Sequence, residues 1–372
     1  MTRVTKKENN PQMREDESSF YLPQDLIEVI LANLPSKSLV KLIVVSKLWS
    51  SIIRSKYFID LYLKRSVTRP CFLFTFLRDN RRFFHSISQE AAPSSYTTTS
   101  RIPPLIYKVC PPVRSLICCQ DLDKVVVSNP STGQFLVLPK LKTKSRQISF
   151  FGYDPIEDEY KVLCMTVLQV SYDSGPVVDE EHQVFTLGGD QKKKEATWRM
   201  IKCKLPHCPA TQGVCIDGVV YYGAWSNSNS TGSLIVGFDV RLEDFTPVKL
   251  HDGVDIYRRD SELMNYQGKL ALANHSYKGE FELWVLDKQE WSKISVVVPS
   301  WNDLVGGDLF CCRGVTSSGE FIFTPFFSAW SSFIITYDHK EDISKRVEIE
   351  GIGDPLRYVK VFLDYVDCPI LL

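Results

Sequence analysis

Leu22-Pro23-Gln24-Asp25-Leu26, Ile30-Leu31, Leu34-Pro35-Ser36-Lys37-Ser38-Leu39 and Val45-Ser46-Lys47-Leu48-Trp49 punctuate residues 22–53, the stretch around which the rest of the chain is organised. Pro23 suits a first helical position, where its missing N–H costs nothing. Leu26, Ile30 and Leu34 follow at steps of four and predict one amphipathic helix with those three side chains on its apolar face. Pro35 and Ser36 stop it and offer a cap for a second helix carrying Leu39, Leu42 and Val45. Ser46 is placed to cap a third, with Trp49, Ile52 and Ile53. Three helices of about three turns each bury too little of their own surface to enclose that many apolar side chains. Part of the apolar face therefore needs a partner.

Composition bounds the remainder. A chain of 372 residues, 44% apolar and 24% charged, has ordinary globular make-up and room for about two domains. Its 44 basic and 44 acidic residues cancel, so nothing in the net charge favours nucleic acid or an anionic membrane. Residues 20–65 are the exception, with seven Lys/Arg against three Asp/Glu, which suits docking on an acidic partner. Beyond residue 65 the count is 33 against 37, so the basic runs Arg81-Arg82, Lys192-Lys193-Lys194 and Arg258-Arg259 are expected in solvated loops. No apolar run approaches a membrane span, and Met1–Ser19 lacks the hydrophobic segment of a secretory signal. The expected location is cytoplasm or nucleus, with the 11 cysteines as reduced thiols and residues 1–19 as a disordered polar tail.

Residues 50–68 read as a continuing helix, with Tyr57, Phe58, Leu61, Tyr62 and Leu63 on its apolar face. From Arg69-Pro70 the texture changes to short apolar runs broken by turn dipeptides, an all-β pattern. One series of turns falls near Asp79, Asn129, Asp190, Asp239, Asp287 and Asp338, at intervals of 50, 61, 49, 48 and 51 residues. A second falls at Glu157-Asp158, Asp217-Gly218, Gln267-Gly268 and Ser318-Gly319, spaced 60, 50 and 51. Two hairpins every fifty residues make four-stranded units, and such units at a fixed period predict a propeller of about six blades. Phe281–Leu286 and Phe321–Phe323, apolar almost throughout, predict strands covered on both faces. Cys71–Ser88 supplies only two strands and the run Tyr358–Leu363 has no partner of its own, so the two are expected to share a blade and close the ring. The proline-rich segment 89–114 reads as a loop or crossing segment.

Motifs for chemistry are scarce. Cys203, His207, Cys208 and Cys215 lack the paired short spacings of zinc sites and are read as structural, as are Cys118-Cys119 and Cys311-Cys312 on strands. The Gly-x-Ser-x-Gly elbow, the phosphate-cradling loop and the Gly-x-Gly-x-x-Gly turn are absent, so neither a catalytic residue nor a cofactor or metal is expected. Trp198, Trp284 and Trp291 fall on repeat strands and read as blade core, whereas Trp225, Trp301 and Trp330 lie beside turns, where recognition surfaces place aromatics.

Residues 22–53 resemble an F-box, with the Leu-Pro-x-Asp-Leu opening, the Leu-Pro-x-Lys-Ser-Leu centre and the Val-Ser-Lys-x-Trp close in family order. Asn33 and Ile43 stand where that family often has arginine, and Leu42 where it often has an aromatic. The second half resembles the type 3 F-box-associated domain of plant F-box proteins. The residues that carry this are Asn129-Pro130-Ser131-Thr132-Gly133, Gly152-Tyr153-Asp154-Pro155, Trp198-Arg199, Phe238-Asp239-Val240-Arg241, Asn265-Tyr266-Gln267-Gly268 and Leu283-Trp284-Val285-Leu286. The resemblance implies segregated α and β domains: a polar tail (1–19), an F-box with linking helix (20–66) and a propeller-like β domain (67–372). It implies that Leu22, Pro23, Leu26, Ile30, Leu34, Pro35, Leu39, Val45 and Trp49 bind a Skp-type adaptor and through it a cullin. The β domain would hold an unknown protein for ubiquitylation, with Trp225, Trp301 and Trp330 as candidates for that contact and neither nucleic acid nor membrane as a partner. A propeller scaffold working outside any ligase is the rival expectation.

Overall fold

The structure, a computed structural model, describes residues 22–78, 81–89, 98–102, 108–121, 124–141, 146–167, 181–188, 197–226, 232–257, 261–274, 278–326, 333–349, 357–370 and 372. The expected tail at 1–19 and Trp330 lie outside them, as do Asp79, Asp190, Lys192-Lys193-Lys194 and Arg258-Arg259.

Four helices come first: α1 (Gln24–Ala32), α2 (Ser36–Leu42), α3 (Lys47–Arg54) and α4 (Lys56–Ser66). The first three have 9, 7 and 8 residues, nearer two turns than three, which leaves them still less able to cover themselves. Ser46 caps α3 as its position suggests, accepting from the Leu48 N–H. The helix expected to run unbroken through 50–68 instead stops at Ser55, whose extended backbone and side-chain acceptance from the Phe58 N–H start α4 afresh. The core of this bundle is Ile27, Leu31, Leu39, Ile52, Ile53, Phe58 and Tyr62. Helix α1 carries apolar residues on two sides, and Ile27 and Leu31 face inward while Leu26 and Ile30 face solvent.

The β half is a six-bladed ring. β1 (Cys71–Arg78), β2 (Arg81–Ser88) and β3 (Thr98–Ile102) belong to the closing blade. β4 (Lys108–Val109), β5 (Ile117–Asp121), β6 (Lys124–Asn129) and β7 (Gln134–Val137) form blade two. β8 (Arg146–Asp154), β9 (Glu159–Val167), β10 (His182–Gly188) and β11 (Arg199–Ile201) form blade three. In blade four the inner strand is split into β12 (His207–Pro209) and β13 (Val214–Ile216), both paired to β14 (Val219–Ser226), with β15 (Ser233–Asp239) and β16 (Phe245–Val248) outside. Blade five is β17 (Ser261–Tyr266), β18 (Lys269–Asn274), β19 (Glu280–Asp287) and β20 (Glu290–Val297). After α5 (Trp301–Val305) come β21 (Phe310–Val315), β22 (Glu320–Pro325), β23 (Phe333–Asp338) and β24 (Ile343–Glu348) as blade six.

The last strand, β25 (Arg357–Tyr365), pairs with β1, with Thr75 opposite Lys360 and Leu73 opposite Phe362. Closure by the C-terminal run is thus as expected, but the blade draws its third N-terminal strand, β3, from the segment read as a loop. Because β25 is the inner strand there, the connection between β1 and β2 links second to third strand, whereas the turns after Asn129, Asp239, Asp287 and Asp338 link third to fourth. The interval that joins Asp79 to that series therefore crosses a change of phase. Strand β22 is buried on both faces, as its composition suggests, but β19 alternates, with Phe281, Leu283 and Val285 inward and Glu282 exposed. The tight turns at Asp217-Gly218 and Gln267-Gly268 have positive φ at both central residues (45° and 82°, 53° and 82°), the mirror-image turn whose twist matches a hairpin.

Alternating strand directions put the first-to-second and third-to-fourth turns of every blade on one face of the ring, the near face. The second-to-third and blade-to-blade connections lie on the other. Deleting residues 358–372 removes the inner strand of the closing blade and exposes two edges at once. Insoluble or aggregated protein is expected on expression; a soluble monomer with native circular dichroism would contradict closure by this strand.

Candidate functional site

With the helical core formed, a set of large apolar side chains remains in solvent. Leu22, Leu26, Val29 and Ile30 on or before α1 are each 50% exposed or more. At the junction of α2 and α3, Val44 is 88%, Val45 65% and Leu48 45% exposed. Pro23 and Pro35 are exposed, and Leu34 and Trp49 are half-buried against the core. Leu39 departs from expectation: it is fully buried among the helices, so it supports the exposed apolar face from behind. Val29, Val44 and Leu48 join the exposed group although the step-of-four pattern passes over them.

The opposite side of the bundle rests on the near face of the propeller, and the C-terminal residues fill the gap. Cys368 is wholly buried inside the helical core and Ile370 packs against it. Asn129, at the end of β6, donates from Nδ2 to the carbonyls of Cys368 and Ile370 at 2.9 Å each and turns its Oδ1 to the Ser131 N–H. The Tyr365 and Ser131 hydroxyls meet at 2.6 Å. Ser36, expected to cap α2, instead donates its hydroxyl to Asp367 Oδ1 at 2.8 Å, tying the start of α2 to the tail. Beside this seam Arg114 lies 4.3 Å over the Tyr153 ring, pairs with Asp60 of α4 and reaches Asp158 at 3.4 Å. Lys56 of α4 meets the same Asp158 at 3.3 Å. Being partly solvated, these ion pairs contribute about 1 kcal/mol or less apiece and act mainly by fixing orientation.

The far face presents the longer connections. Trp301 is buried against Phe310 and Phe323 and serves as core, which corrects its reading as a contact residue. The reason is Gly279: a Cβ there would lie 2.4 Å from the indole, so the missing side chain makes room for the ring. Trp225 is half-buried and donates to the Ile256 carbonyl at 3.2 Å. Trp198, just before β11, and Trp291 on β20 are half-buried and pack at the edge of the blade cores, donating to the Pro139 and Lys249 carbonyls of connecting segments. His207 sits between the Leu205 carbonyl (2.6 Å from Nδ1) and the Tyr222 hydroxyl (2.7 Å from Nε2). Among the described residues no group of three or more His, Cys, Asp or Glu is placed to hold a metal ion. Arg82, expected in a solvated loop, is buried and lines a cavity on the propeller axis.

Comparison with known proteins agrees with both halves. The F-box domain matches residues 20–61, and the F-box associated beta propeller domain matches residues 71–366. The chain belongs to the F-box-associated β-propeller family. An F-box/kelch-repeat protein of Arabidopsis thaliana is 40% identical over 100% of this chain and 98% of its own length. The F-box protein DOR of Arabidopsis thaliana is 34% identical, covering 95% of this chain and 94% of that one. Several residues that carry the family resemblance now have a physical role. Asn129 and Ser131 hold the tail, and Tyr153 floors the Arg114 bridge to the F-box.

Removing residues 367–372 of this F-box protein keeps β25 but empties the seam. The propeller should melt almost unchanged while the helical bundle loses roughly 2–4 kcal/mol, the cost of emptying a core site. Proteolysis near residues 65–70 should then accelerate about ten-fold or more. Unchanged cleavage would show that the tail does not couple the halves.

His207 makes a separate prediction. Burial, with the His182 imidazole adding to it, lowers its pKa from 6.5 to about 4, against the Leu205 carbonyl, which favours the charged form. The folded state prefers the neutral ring, so its contribution is complete above pH 6.5 and is lost progressively as pH falls towards 4. Thermal melts across that window should show a pH slope steeper in the native chain than in His207→Asn by up to about 1.4 kcal/mol per unit. Parallel slopes would contradict this.

Proposed function

We propose that this chain is a substrate-recognition subunit of a Skp–cullin–F-box ubiquitin ligase. Its F-box docks the adaptor through α1 and the α2–α3 junction, and its propeller holds the protein to be ubiquitylated. One observation carries the reading: Leu22, Leu26, Ile30 and Val45 stay at least half exposed among the described residues, after both the helical core and the seam have formed. A monomeric soluble protein rarely leaves such a set uncovered unless it is an interaction surface. The basic excess of the region, seven Lys/Arg against three Asp/Glu in residues 20–65, adds attraction for an acidic adaptor. The chain then supplies no chemistry of its own. It holds a substrate near the transferring subunits and raises its effective concentration.

Opposite faces suit this division of labour. The near face is occupied by the F-box, which leaves the far-face connections, Trp225 among them, for the substrate. Leu26→Asp combined with Val45→Asp places two charges on the docking face without touching the core. Adaptor binding should weaken about 100-fold or more, from lost burial and a desolvated charge, with the melting temperature held. Native-strength binding would contradict the reading. Affinity purification of the intact chain should bring down cullin together with the adaptor, whereas adaptor without cullin would point to a scaffold outside the ligase.

A further inference from the structure

Within the ring, between the inner strands β17, β21 and β25, lies a cavity of about 600 Å³, roomy enough for a small organic ligand. Its walls are charged, and unevenly. Glu262 on β17 lies 3.6 Å from Arg313 Nη1 on β21, and the Lys360 ammonium on β25 also feels this carboxylate. Arg82 adds a third cation: its guanidinium donates to Thr75 Oγ1 at 3.1 Å. Thr75 is the cross-strand partner of Lys360, so Arg82 and Lys360 stand on one face of the closing blade. Lys108, donating to the Ser149 carbonyl from the inner strand of blade two, makes the potential at Lys360 still more positive. The other carboxylate on the wall, Asp364, sits towards the near face, where the Ser317 hydroxyl donates to it at 3.2 Å.

Glu262 is thus shared by Arg313 and Lys360 in the channel, with Arg82 on the same blade face as Lys360. Burial, reinforced by Lys108 and Arg313, lowers the Lys360 ammonium to about 8, with Glu262 and Cys110 acting in the opposite direction. Burial also raises the Glu262 carboxyl, against the pull of Arg313 and Lys360. Gathering cations in a partly desolvated wall works against stability, so the arrangement is explained by what it can bind.

We propose that the propeller channel is a binding site for a small, dissociable organic anion, whose phosphate or carboxylate group sits between Lys360 and Arg313. Arg313 offers the planar fork that recognises such groups, and its Nε is steadied by the Thr324 hydroxyl at 2.9 Å. The apolar wall at Leu263, Val214 and Phe326 takes the body of the ligand. This inference stands whether or not the F-box serves a ligase.

The test uses the full-length protein and three probes, inorganic phosphate, pyrophosphate and citrate, each added at constant ionic strength against chloride. Thermal unfolding and titration calorimetry should show a saturable rise in melting temperature with at least one probe, growing with the logarithm of its concentration. Lys360→Met should weaken that response about ten-fold, the worth of one charge-assisted bond, and should raise the melting temperature without anion. Lys360→Arg should restore binding, and Glu262→Gln should tighten it by removing the competing carboxylate. Lys249→Met, at a side chain 87% exposed, should change nothing. No saturable response to any probe, or an equal response in Lys360→Met, would overturn the proposal. So would a fall in the anion-free melting temperature of Lys360→Met, which would make Lys360 a structural partner of Glu262.

Discussion

A bundle of four short helices does not contain enough apolar volume to close on itself, and this shortage governs the rest of the molecule. On one side the deficit is met from within the chain: Cys368 enters the helical core and Ile370 packs beside it. That is possible only because β25 threads down the inside of the closing blade and emerges on the near face, next to the bundle. Ring closure and F-box placement are consequently two ends of a single segment. On the other side nothing among the described residues covers Leu26, Ile30, Val44 and Val45.

The seam is built from polar groups that can be satisfied in one register. Asn129 engages two carbonyls of the tail and the Ser131 N–H at once, and Tyr365 reaches the Ser131 hydroxyl. A shift of the tail by one residue would leave those groups buried without partners, at a cost of about 1–3 kcal/mol each. The ion pairs of Arg114 and Lys56 with Asp60 and Asp158 lie at the rim and add direction more than energy. The result is a fixed geometry in which the exposed helical face and the far-face connections lie at opposite ends of the blades, the arrangement that the proposed bridging of adaptor and substrate would use.

Much of this is legible in the residues. The fifty-residue period of turns reveals the blades because each blade repeats the same two hairpins, and the unpaired run Tyr358–Leu363 announces closure because an open ring would leave two edges. The F-box is readable from its prolines and its Ser46 cap. Long-range partners are not legible. Ser36 has the chemistry of a cap, and only the folded chain shows its hydroxyl committed to Asp367. Leu31 and Leu26 look alike in a helical pattern, yet one is sealed and the other is half exposed, because α1 is apolar on two sides and tertiary packing picks one. Trp301 falls beside turns and reads as surface, but the missing side chain of Gly279 makes room for it inside. Arg82, in a basic doublet, is buried because strand alternation turns it to a covered face of the closing blade, beside Thr75, while Arg81 stays exposed.

If the proposed function holds, the uncovered helical face, and no part of the propeller, receives the adaptor. Hydrogen–deuterium exchange of the intact chain, with and without a Skp-type adaptor, distinguishes the two surfaces. New protection confined to α1 and residues 43–49, with the β strands unchanged, is the predicted result. Protection mapping to the blades, or none at α1, would contradict it.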